Sequence, residues 1–176
     1  MSPMPPDQLT QIPDAEELLA ALAQRMRTAI AFDAAFVGIY SGGAWIAERL
    51  AQMIPGEHPV GYIDVSFYRD DYARTGLKPG AKRSELPFDV EGATIILVDD
   101  VLYTGRSVRA AVNELFDYGR PARIELAVLV DRGGRELPIQ PDFVGLTRQD
   151  VPREHRVNVR LSEVDGRDEI LLEPRS

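Results

Sequence analysis

Cysteine is absent from the 176 residues of the chain. This absence excludes disulfide bonds, thiolate metal sites and a cysteine nucleophile. It does not by itself identify a compartment, but it fits a cytosolic protein, and we expect a cytoplasmic location. The sequence also has no apolar run that approaches the roughly 20 residues needed to span a bilayer, so no membrane partner is expected.

An excess of basic residues is absent as well. The 28 acidic and 20 basic side chains give a formal net charge of −8. Attraction to nucleic acid comes from lysines and arginines that displace counterions, so a diffuse affinity for nucleic acid is not expected. Residues 1–14 carry four prolines and lack the charged-then-apolar order of a signal peptide. Residues 1–13 are therefore predicted to form a mobile N-terminal arm.

The remaining residues have the composition of a globular domain, with 44% hydrophobic and 27% charged side chains. Apolar runs at 34–40, 94–98 and 124–130 predict strands, as does the aromatic and β-branched run at 61–68. Helical spacing of apolar residues follows Asp14 and recurs at 46–54 and 108–116. Strands that alternate with helices imply right-handed βαβ units and a mainly parallel sheet. The sequence thus predicts a single α/β domain over residues 14–176.

One segment carries most of the chemical information, TIILVDDVLYTGRSV at residues 94–108. Here a predicted strand ends in Asp99 and Asp100, and a short loop with Gly105 leads into a helix. In open α/β sheets, ligands bind beyond the carboxyl ends of the strands. Backbone N–H groups at a helix N-terminus favour a phosphate, whereas adjacent carboxylates suit vicinal hydroxyls or hydroxyls shared with Mg²⁺. The segment indicates a ribose 5-phosphate pocket, although these features alone also fit simple helix capping.

The same segment resembles the ribose-phosphate-pyrophosphate motif of type I phosphoribosyltransferases. The longer stretch at 98–145 closely resembles the pyrimidine-operon regulator family (PyrR), and the similarity continues upstream through YIDVSFYRDD (62–71) and IAERLA (46–51). It includes DRGGRELP at 131–138, which phosphoribosyltransferases in general do not share. Members of this family bind uridine nucleotides and carry uracil phosphoribosyltransferase activity.

The resemblance implies a type I phosphoribosyltransferase fold, with a central, mainly parallel sheet flanked by helices. It also implies a small hood, formed from about residues 131–165 and the N-terminal segment, and a mobile lid loop at 69–84. The implied ligands are 5-phosphoribosyl 1-pyrophosphate, uracil, the product UMP and Mg²⁺. The family further suggests a homo-oligomer, a dimer or larger.

The resemblance also assigns roles to individual residues. Asp99 and Asp100 would be catalytic, holding the ribose hydroxyls and the metal, directly or through those hydroxyls and water. Arg69, at the start of the lid, would be the third catalytic residue. The implied substrate-binding residues are Ser41, Gly42 and Gly43 for the pyrophosphate, Val101, Leu102, Tyr103, Thr104, Gly105, Arg106 and Ser107 for the ribose phosphate, and Asp131, Arg132 and Val157 for the base.

Simpler interpretations stay open for some of these residues. Ser41 to Gly43 also fit a plain turn between a strand and a helix, and Asp131 also fits an acidic cap on a strand end. Tyr103 stands where purine-specific relatives usually have an aspartate, and this favours a pyrimidine base.

The chain departs from the family pattern at two glycines. Gly42 stands where the pyrophosphate loop usually has an arginine, and Gly134 stands where the family's segment typically reads DRGHRELP. Acids such as Asp150 and Glu154 interrupt a region that is basic in RNA-binding members. Three functions follow: a uracil phosphoribosyltransferase, an RNA-binding regulator that senses uridine nucleotides, or a phosphoribosyltransferase for another base. Any RNA binding is expected to be weak.

Overall fold

The computed structural model describes residues 14–65 and 84–175. Its centre is a five-stranded parallel sheet in the order β2-β1-β3-β4-β5, and a separate two-stranded antiparallel sheet pairs β6 with β7. In chain order the elements are α1 (Ala15–Met26), β1 (Ala35–Ile39), α2 (Gly42–Met53), β2 (Val60–Ile63), β3 (Thr94–Leu102), α3 (Arg106–Tyr118), β4 (Arg123–Asp131), β5 (Phe143–Thr147), β6 (His155–Arg160), α4 (Ser162–Asp165) and β7 (Glu169–Pro174). The expected α/β sheet is confirmed.

Helices cover both faces of the parallel sheet. On one face, α1 and α2 pack against side chains such as Phe36 and Ile96. On the other face, α3 packs against Val37 and Leu97. Successive side chains of a strand point to opposite faces, so a strand covered on both sides reads as a continuous apolar run. This explains why residues 94–98 and 124–130 were recognisable as central strands.

Helix α1 begins where its sequence predicts. The Asp14 carboxylate caps it by accepting a hydrogen bond of 3.1 Å from the N–H of Glu16. Leu18, Leu22 and Met26 then lie one turn apart and are buried against the sheet. The four-residue spacing seen in the sequence is therefore the core-facing side of this helix.

Several boundaries differ from the sequence prediction. Strand β3 does not end at Asp99 and Asp100 but continues to Leu102, because its ladder with β4 continues as far as Leu102 opposite Asp131. Strand β2 ends at Ile63, short of the predicted range of 61–68, of which residues 66–68 lie outside the described part. The apolar spacing at 108–116 predicts that Phe116 is buried, but its side chain is 54% exposed, because it lies about 100° around the helix from buried Leu115.

The second sheet, which we define as β6 and β7 with α4 between them, is fastened to α2 by Arg49. The Arg49 guanidinium donates to Glu163 at 2.6 and 2.8 Å and to Asp168 at 2.8 and 2.9 Å. These hydrogen bonds lower the pKa of Asp168 to about 2 and also lower the pKa of Glu163. The hood expected at about 131–165 overlaps this sheet only in part, since β7 reaches Pro174, and its action as a hood stays a prediction.

Two expected segments cannot be compared with the structure. The N-terminal arm at 1–13 and the lid loop from Arg69 to residue 83 lie outside the described residues. Within the described ranges, 14–65 and 84–175, no helix is long and apolar enough to cross a membrane.

Helix α2 approaches the sheet so closely that only glycine fits at the contact. A Cβ atom on Gly38 in β1 would lie 2.4 Å from the carbonyl oxygen of Gly43 and 2.5 Å from the Cα of Ala44. A Cβ atom on Gly43 would lie 2.4 Å from the carbonyl oxygen of Val98. These neighbours are backbone atoms, which move only together with their elements. The start of α2 is thereby set directly against the ends of β1 and β3.

We predict that Gly38→Ala destabilises the protein by about 1–3 kcal/mol, the usual range for overpacking a core. The added methyl group must push α2 away from β1. Urea unfolding followed by circular dichroism measures the free energy of unfolding. Gln52→Ala, on the exposed side of the same helix, is the control and should change stability by less than about 0.5 kcal/mol. Equal stability of the wild type and Gly38→Ala would contradict the close packing.

The Arg49 cluster predicts a pH dependence. The pKa of Asp168 is about 2 in the fold, below the value of about 3.9 in an unfolded chain. A depressed pKa contributes stability above the unfolded value, and that contribution is lost as the pH falls from about 4 to about 2. Asp168→Asn should therefore cost roughly 1–2 kcal/mol near pH 6 and less near pH 3. Urea titrations at both pH values measure the difference, and a cost that does not change with pH would contradict this assignment.

Candidate functional site

The candidate residues converge on the carboxyl edge of the parallel sheet. Ser41 and Gly42 follow β1, the acidic pair lies near the end of β3, and Asp131 ends β4. These strands are adjacent and parallel, so their carboxyl ends lie at the same edge. The structure brings these sequence-predicted residues together at this edge, and their role in a site stays a prediction. The catalytic role expected of Arg69 concerns a residue outside them.

The acidic pair is held by the backbone next to it. One oxygen of Asp99 accepts a hydrogen bond from the N–H of Asp100 at 2.8 Å, and one oxygen of Asp100 accepts from the N–H of Val101 at 2.7 Å. Asp99 is only 8% exposed, whereas Asp100 is half-buried. Each carboxylate is thus oriented by one of its oxygens. Val101 and Leu102 continue β3 beyond the pair, and Leu102 is buried.

Gly42 leaves room for the Asp100 carboxylate. A Cβ atom on Gly42 would lie 2.4 Å from Asp100 Oδ2 and 2.8 Å from its Cγ. The arginine that the family usually has at this position would require the Asp100 side chain to move. Glycine in place of arginine therefore changes the local geometry as well as the charge, because it lets the Asp100 carboxylate pack against the expected pyrophosphate loop. The peptide bond between Tyr40 and Ser41 in this loop is cis.

The start of α3 is where the ribose phosphate is expected. Gly105 precedes the helix with a φ of +93°, a left-handed conformation that favours glycine. The Arg106 N–H donates to Thr104 Oγ1 at 3.2 Å. The N–H groups of Ser107 and Val108 belong to the first turn, where a helix offers them no internal acceptor. Such N–H groups, together with the helix dipole, suit an anion.

Tyr103 lies beneath two guanidinium groups. The Cζ atoms of Arg132 and Arg175 are 4.0 and 4.8 Å from the centre of its ring. Gly134, with a φ of +84°, packs against the same ring, and a Cβ atom there would lie 2.4 Å from Tyr103 Cε2. The histidine that the family usually has at residue 134 would displace this ring. Gly134, like Gly42, therefore leaves room for a side chain of residues 99–107, the segment that resembles the ribose-phosphate motif.

Arg135 is a residue that sequence reasoning did not single out. Its guanidinium donates to Asp131 Oδ2 at 2.7 Å, to the carbonyl oxygen of Ile139 at 2.7 Å and to that of Tyr103 at 2.9 Å. It thereby ties the end of β4 to the loop that follows β3. The available signal was its position inside DRGGRELP, the segment specific to the PyrR family.

The side chains expected at the base are largely engaged in bonds within the protein. Asp131 accepts from Arg135 and from the N–H of Gly133 at 3.0 Å, as its interpretation as a strand-end cap requires. Arg132 is 3% exposed and donates to the carbonyl oxygens of His155 and Pro152 at 2.7 and 3.1 Å. Burial lowers the pKa of Arg132. Contact of either side chain with a base stays a prediction.

A cavity of about 230 Å³ opens between α2 and the second sheet. From the α2 side it is lined by Ser41, Gly42 and Trp45, and Asp100 reaches it from β3. From the second sheet it is lined by Asn158, Val159, Leu161, Val164 and Asp165. Val157 does not line this cavity and packs against the core beneath α1 and α2, as Val159 also does. Trp45 was also missed, although it is the only tryptophan and lies one helical turn after Gly42.

The acidic pair fits a magnesium ion that arrives with a phosphorylated substrate. Mg²⁺ usually keeps several waters and binds one or two carboxylates together with substrate phosphates. Asp100 provides such a carboxylate beside the expected pyrophosphate loop, and Asp99 precedes it on β3. Residues 14–65 and 84–175 contain no group of three or more acidic, histidine or cysteine side chains suited to a metal, so these two would hold the ion jointly with substrate oxygens.

Comparisons with known proteins agree with this geometry. The family model of the phosphoribosyl transferase domain matches residues 6–160. A bifunctional protein PyrR from Pseudomonas paraeruginosa is 48% identical over 84% of this chain and 89% of its own length. One from Ralstonia nicotianae is 56% identical over 75% of this chain and 78% of its own length.

A solved structure shows the same fold at lower identity. A hypoxanthine-guanine phosphoribosyltransferase from Bacillus anthracis superposes with a TM-score of 0.62 at 20% identity, covering 84% of this chain and 85% of its own. Together, the acidic pair, the turn at the start of α3, the family match and the curated relatives lead to one conclusion: the chain belongs to the phosphoribosyltransferase family and, within it, to the PyrR proteins.

Proposed function

We propose that this protein is a uracil phosphoribosyltransferase, which forms UMP and pyrophosphate from uracil and 5-phosphoribosyl 1-pyrophosphate. The observation that carries the proposal is the acidic pair near the end of β3, which lies between the loop after β1, where Asp100 packs against Gly42, and the turn that begins α3. A diol-binding group thus lies between two anion-binding turns. The sugar pyrophosphate has the same order of groups, with hydroxyls between its 5-phosphate and its pyrophosphate.

Each end of the substrate has a place in this arrangement. The first turn of α3, with Thr104 and Ser107, binds the 5-phosphate through N–H and hydroxyl groups. Asp99 and Asp100 accept hydrogen bonds from the ribose hydroxyls. The backbone from Ser41 to Gly43, at the start of α2, faces the pyrophosphate. When bound, Mg²⁺ neutralises charge that develops on the departing pyrophosphate.

The reaction needs no nucleophile from the protein. A bond forms between the base nitrogen and the anomeric carbon as the bond from that carbon to the pyrophosphate oxygen breaks. The bonding electrons leave with pyrophosphate, and the proton of the base nitrogen passes to solvent. The protein contributes alignment of the two reactants and electrostatic stabilisation of the transition state.

Support for uracil comes from two sources. Tyr103 stands where purine-specific relatives usually have an aspartate, and its ring is held in place by Arg132, Arg175 and Gly134. The relatives at 48% and 56% identity carry the name of the PyrR proteins, and the resemblance to that family implies uracil as the base. A phosphoribosyltransferase with another base is the outcome that a base panel would reveal.

A second function, regulation through RNA binding, is favoured by the word "bifunctional" in the relatives' name. Against a tight RNA complex stand the net charge of −8 and the pairing of Arg148 with Asp150 at 3.0 Å. Gly134 removes a further side chain of the family pattern. We therefore propose that RNA binding, where it occurs, is weak. The homo-oligomer, the lid at 69–84 and the cytoplasmic location stay predictions.

We predict that the double variant Asp99→Asn with Asp100→Asn abolishes turnover and keeps the fold. The amides retain the size of the carboxylates but lose the charges that serve the hydroxyls and the metal. A coupled assay of pyrophosphate release measures turnover, and circular dichroism reports the fold. Asp33→Asn with Asp117→Asn is the matched control, because it removes the same charge from two exposed side chains. Turnover of the site variant near the wild-type rate would refute the site.

We also predict that uracil is the preferred base and that RNA binding is weak. The measurement supplies Mg²⁺, the sugar pyrophosphate and a panel of uracil, cytosine, hypoxanthine and guanine, with nucleotides separated by chromatography.

Binding to a pyrimidine-operon leader hairpin is followed at several salt concentrations with UMP present. For an RNA site, the logarithm of the binding constant would fall with the logarithm of the salt concentration, with a slope of about −0.7 per single-strand phosphate contact. Nucleotide products from purines alone would contradict the preference for uracil. An RNA complex with nanomolar affinity that requires UMP would contradict weak RNA binding.

A further inference from the structure

Three residues of α2 lie on one side of the helix and face the second sheet. Gly42, Trp45 and Arg49 are spaced three and four residues apart, which places them one above the other on a helix surface. Gly42 and Trp45 line the 230 Å³ cavity. Arg49 is one turn further along and does not line it. The same side of α2 therefore carries one wall of the cavity and, beyond it, the attachment of the opposite wall.

The attachment consists of a single guanidinium that holds two carboxylates and a hydroxyl. Arg49 donates to Glu163 and Asp168 through Nε, Nη1 and Nη2, and to Ser162 Oγ at 3.0 Å. Its side chain is only 19% exposed. Paired hydrogen bonds between a planar guanidinium and carboxylates fix direction as well as distance, which the single ammonium group of lysine cannot reproduce.

The segment that Arg49 holds, residues 161–168, also has hydrogen bonds within itself. Asp165 Oδ2 accepts from the N–H of Leu161 at 2.9 Å, and Asp168 Oδ1 accepts from the N–H of Ser162 at 2.8 Å. Leu161, Val164 and Asp165 line the cavity. Leu161 is 3% exposed and anchors one end of this segment in the core beside α2. Beyond that anchor, Arg49 is the group that joins residues 162–168 to α2.

We propose that Arg49 is a positioning residue: by holding residues 161–168 against α2, it sets the separation between the two walls of the cavity and thereby the affinity for the base. The cavity takes a planar heterocycle, with Trp45 and Val159 as apolar surfaces and Asn158 Oδ1 as a hydrogen-bond acceptor, since Asn158 Nδ2 already donates to Glu173 at 3.4 Å. This inference rests on the proposed function for the identity of the ligand. Arg49 itself touches no ligand and acts through the segment that it holds.

The test compares Arg49→Ala, Arg49→Lys and Arg167→Ala. Arg167 is the matched control, since it lies in the same segment, is 69% exposed and pairs only with neighbouring Glu169 among the described residues. We expect Arg49→Ala to raise KM for uracil about ten- to hundredfold, as small misplacements of a binding wall do, with kcat changed less than about threefold. Arg49→Lys should restore part of the affinity, and Arg167→Ala should match the wild type.

A second readout needs no substrate. Trp45 is the only tryptophan, so quenching of its fluorescence by acrylamide reports directly on the opening of the cavity. Quenching of the unliganded protein should increase in Arg49→Ala, less in Arg49→Lys, and not in Arg167→Ala. If Arg49→Ala does not fold, Glu163→Gln and Asp168→Asn weaken the same attachment one carboxylate at a time. Each should raise KM for uracil and increase the quenching of Trp45, by less than is expected for Arg49→Ala.

The outcomes separate this inference from the proposed function. Wild-type values of KM and of quenching in Arg49→Ala would overturn the inference. An equal fall of kcat and kcat/KM with unchanged KM would overturn it as well, because that pattern indicates loss of folded protein. If the wild type makes no nucleotide from any base, the proposed function fails, and the quenching comparison still decides whether Arg49 sets the cavity.

Discussion

Strand β3 hydrogen-bonds to β1 on one side and to β4 on the other, with Gly38 opposite Val98 and Leu102 opposite Asp131. Because all three strands run in the same direction, the residues that follow them emerge at one edge. The loop after β1, the acidic pair of β3 and the end of β4 are neighbours for this reason alone. A shift of the register by one residue would move each side chain of β3 to the other face of the sheet and carry the Asp100 carboxylate away from Gly42. The position of every candidate group depends on this pairing.

Two glycines show that the space left by a missing side chain in one segment is occupied by a side chain of another. Gly42 and Gly134 stand where the family usually has an arginine and a histidine, and they are far apart in sequence. Each lies against a side chain of the ribose-phosphate segment, Gly42 against Asp100 and Gly134 against Tyr103. The segment itself keeps the family pattern, and its side chains occupy the volume that the missing side chains leave. The departures therefore alter the shape of the candidate site without removing the acidic pair or the turn at the start of α3.

Three arginines with little exposure join the parts that surround the site. Arg135 ties the end of β4 to the loop after β3, Arg132 ties the same end to residues 152–155, and Arg49 ties α2 to residues 161–168. A buried guanidinium is costly without partners, and each of these finds carbonyl or carboxylate oxygens. In Arg132 the Nε atom has no acceptor within the described part of the chain. These connections cross from one element to another, so they hold the site in shape where the parallel ladder ends.

The amino-acid sequence by itself determined the class of fold and the position of the main motif. Continuous apolar runs identified β1, β3 and β4, helical spacing identified α1 to α3, and VDDVLYTGRSV identified the ribose-phosphate segment, because these signals are local in the chain. The tertiary structure decided what depends on distant residues. Only the fold shows that Arg135 donates to the carbonyl oxygen of Tyr103, that Val157 packs against the core, and that Trp45 and Asn158 line the same cavity. Such pairings join residues dozens of positions apart, and no local pattern of side chains encodes which distant neighbour a side chain will meet.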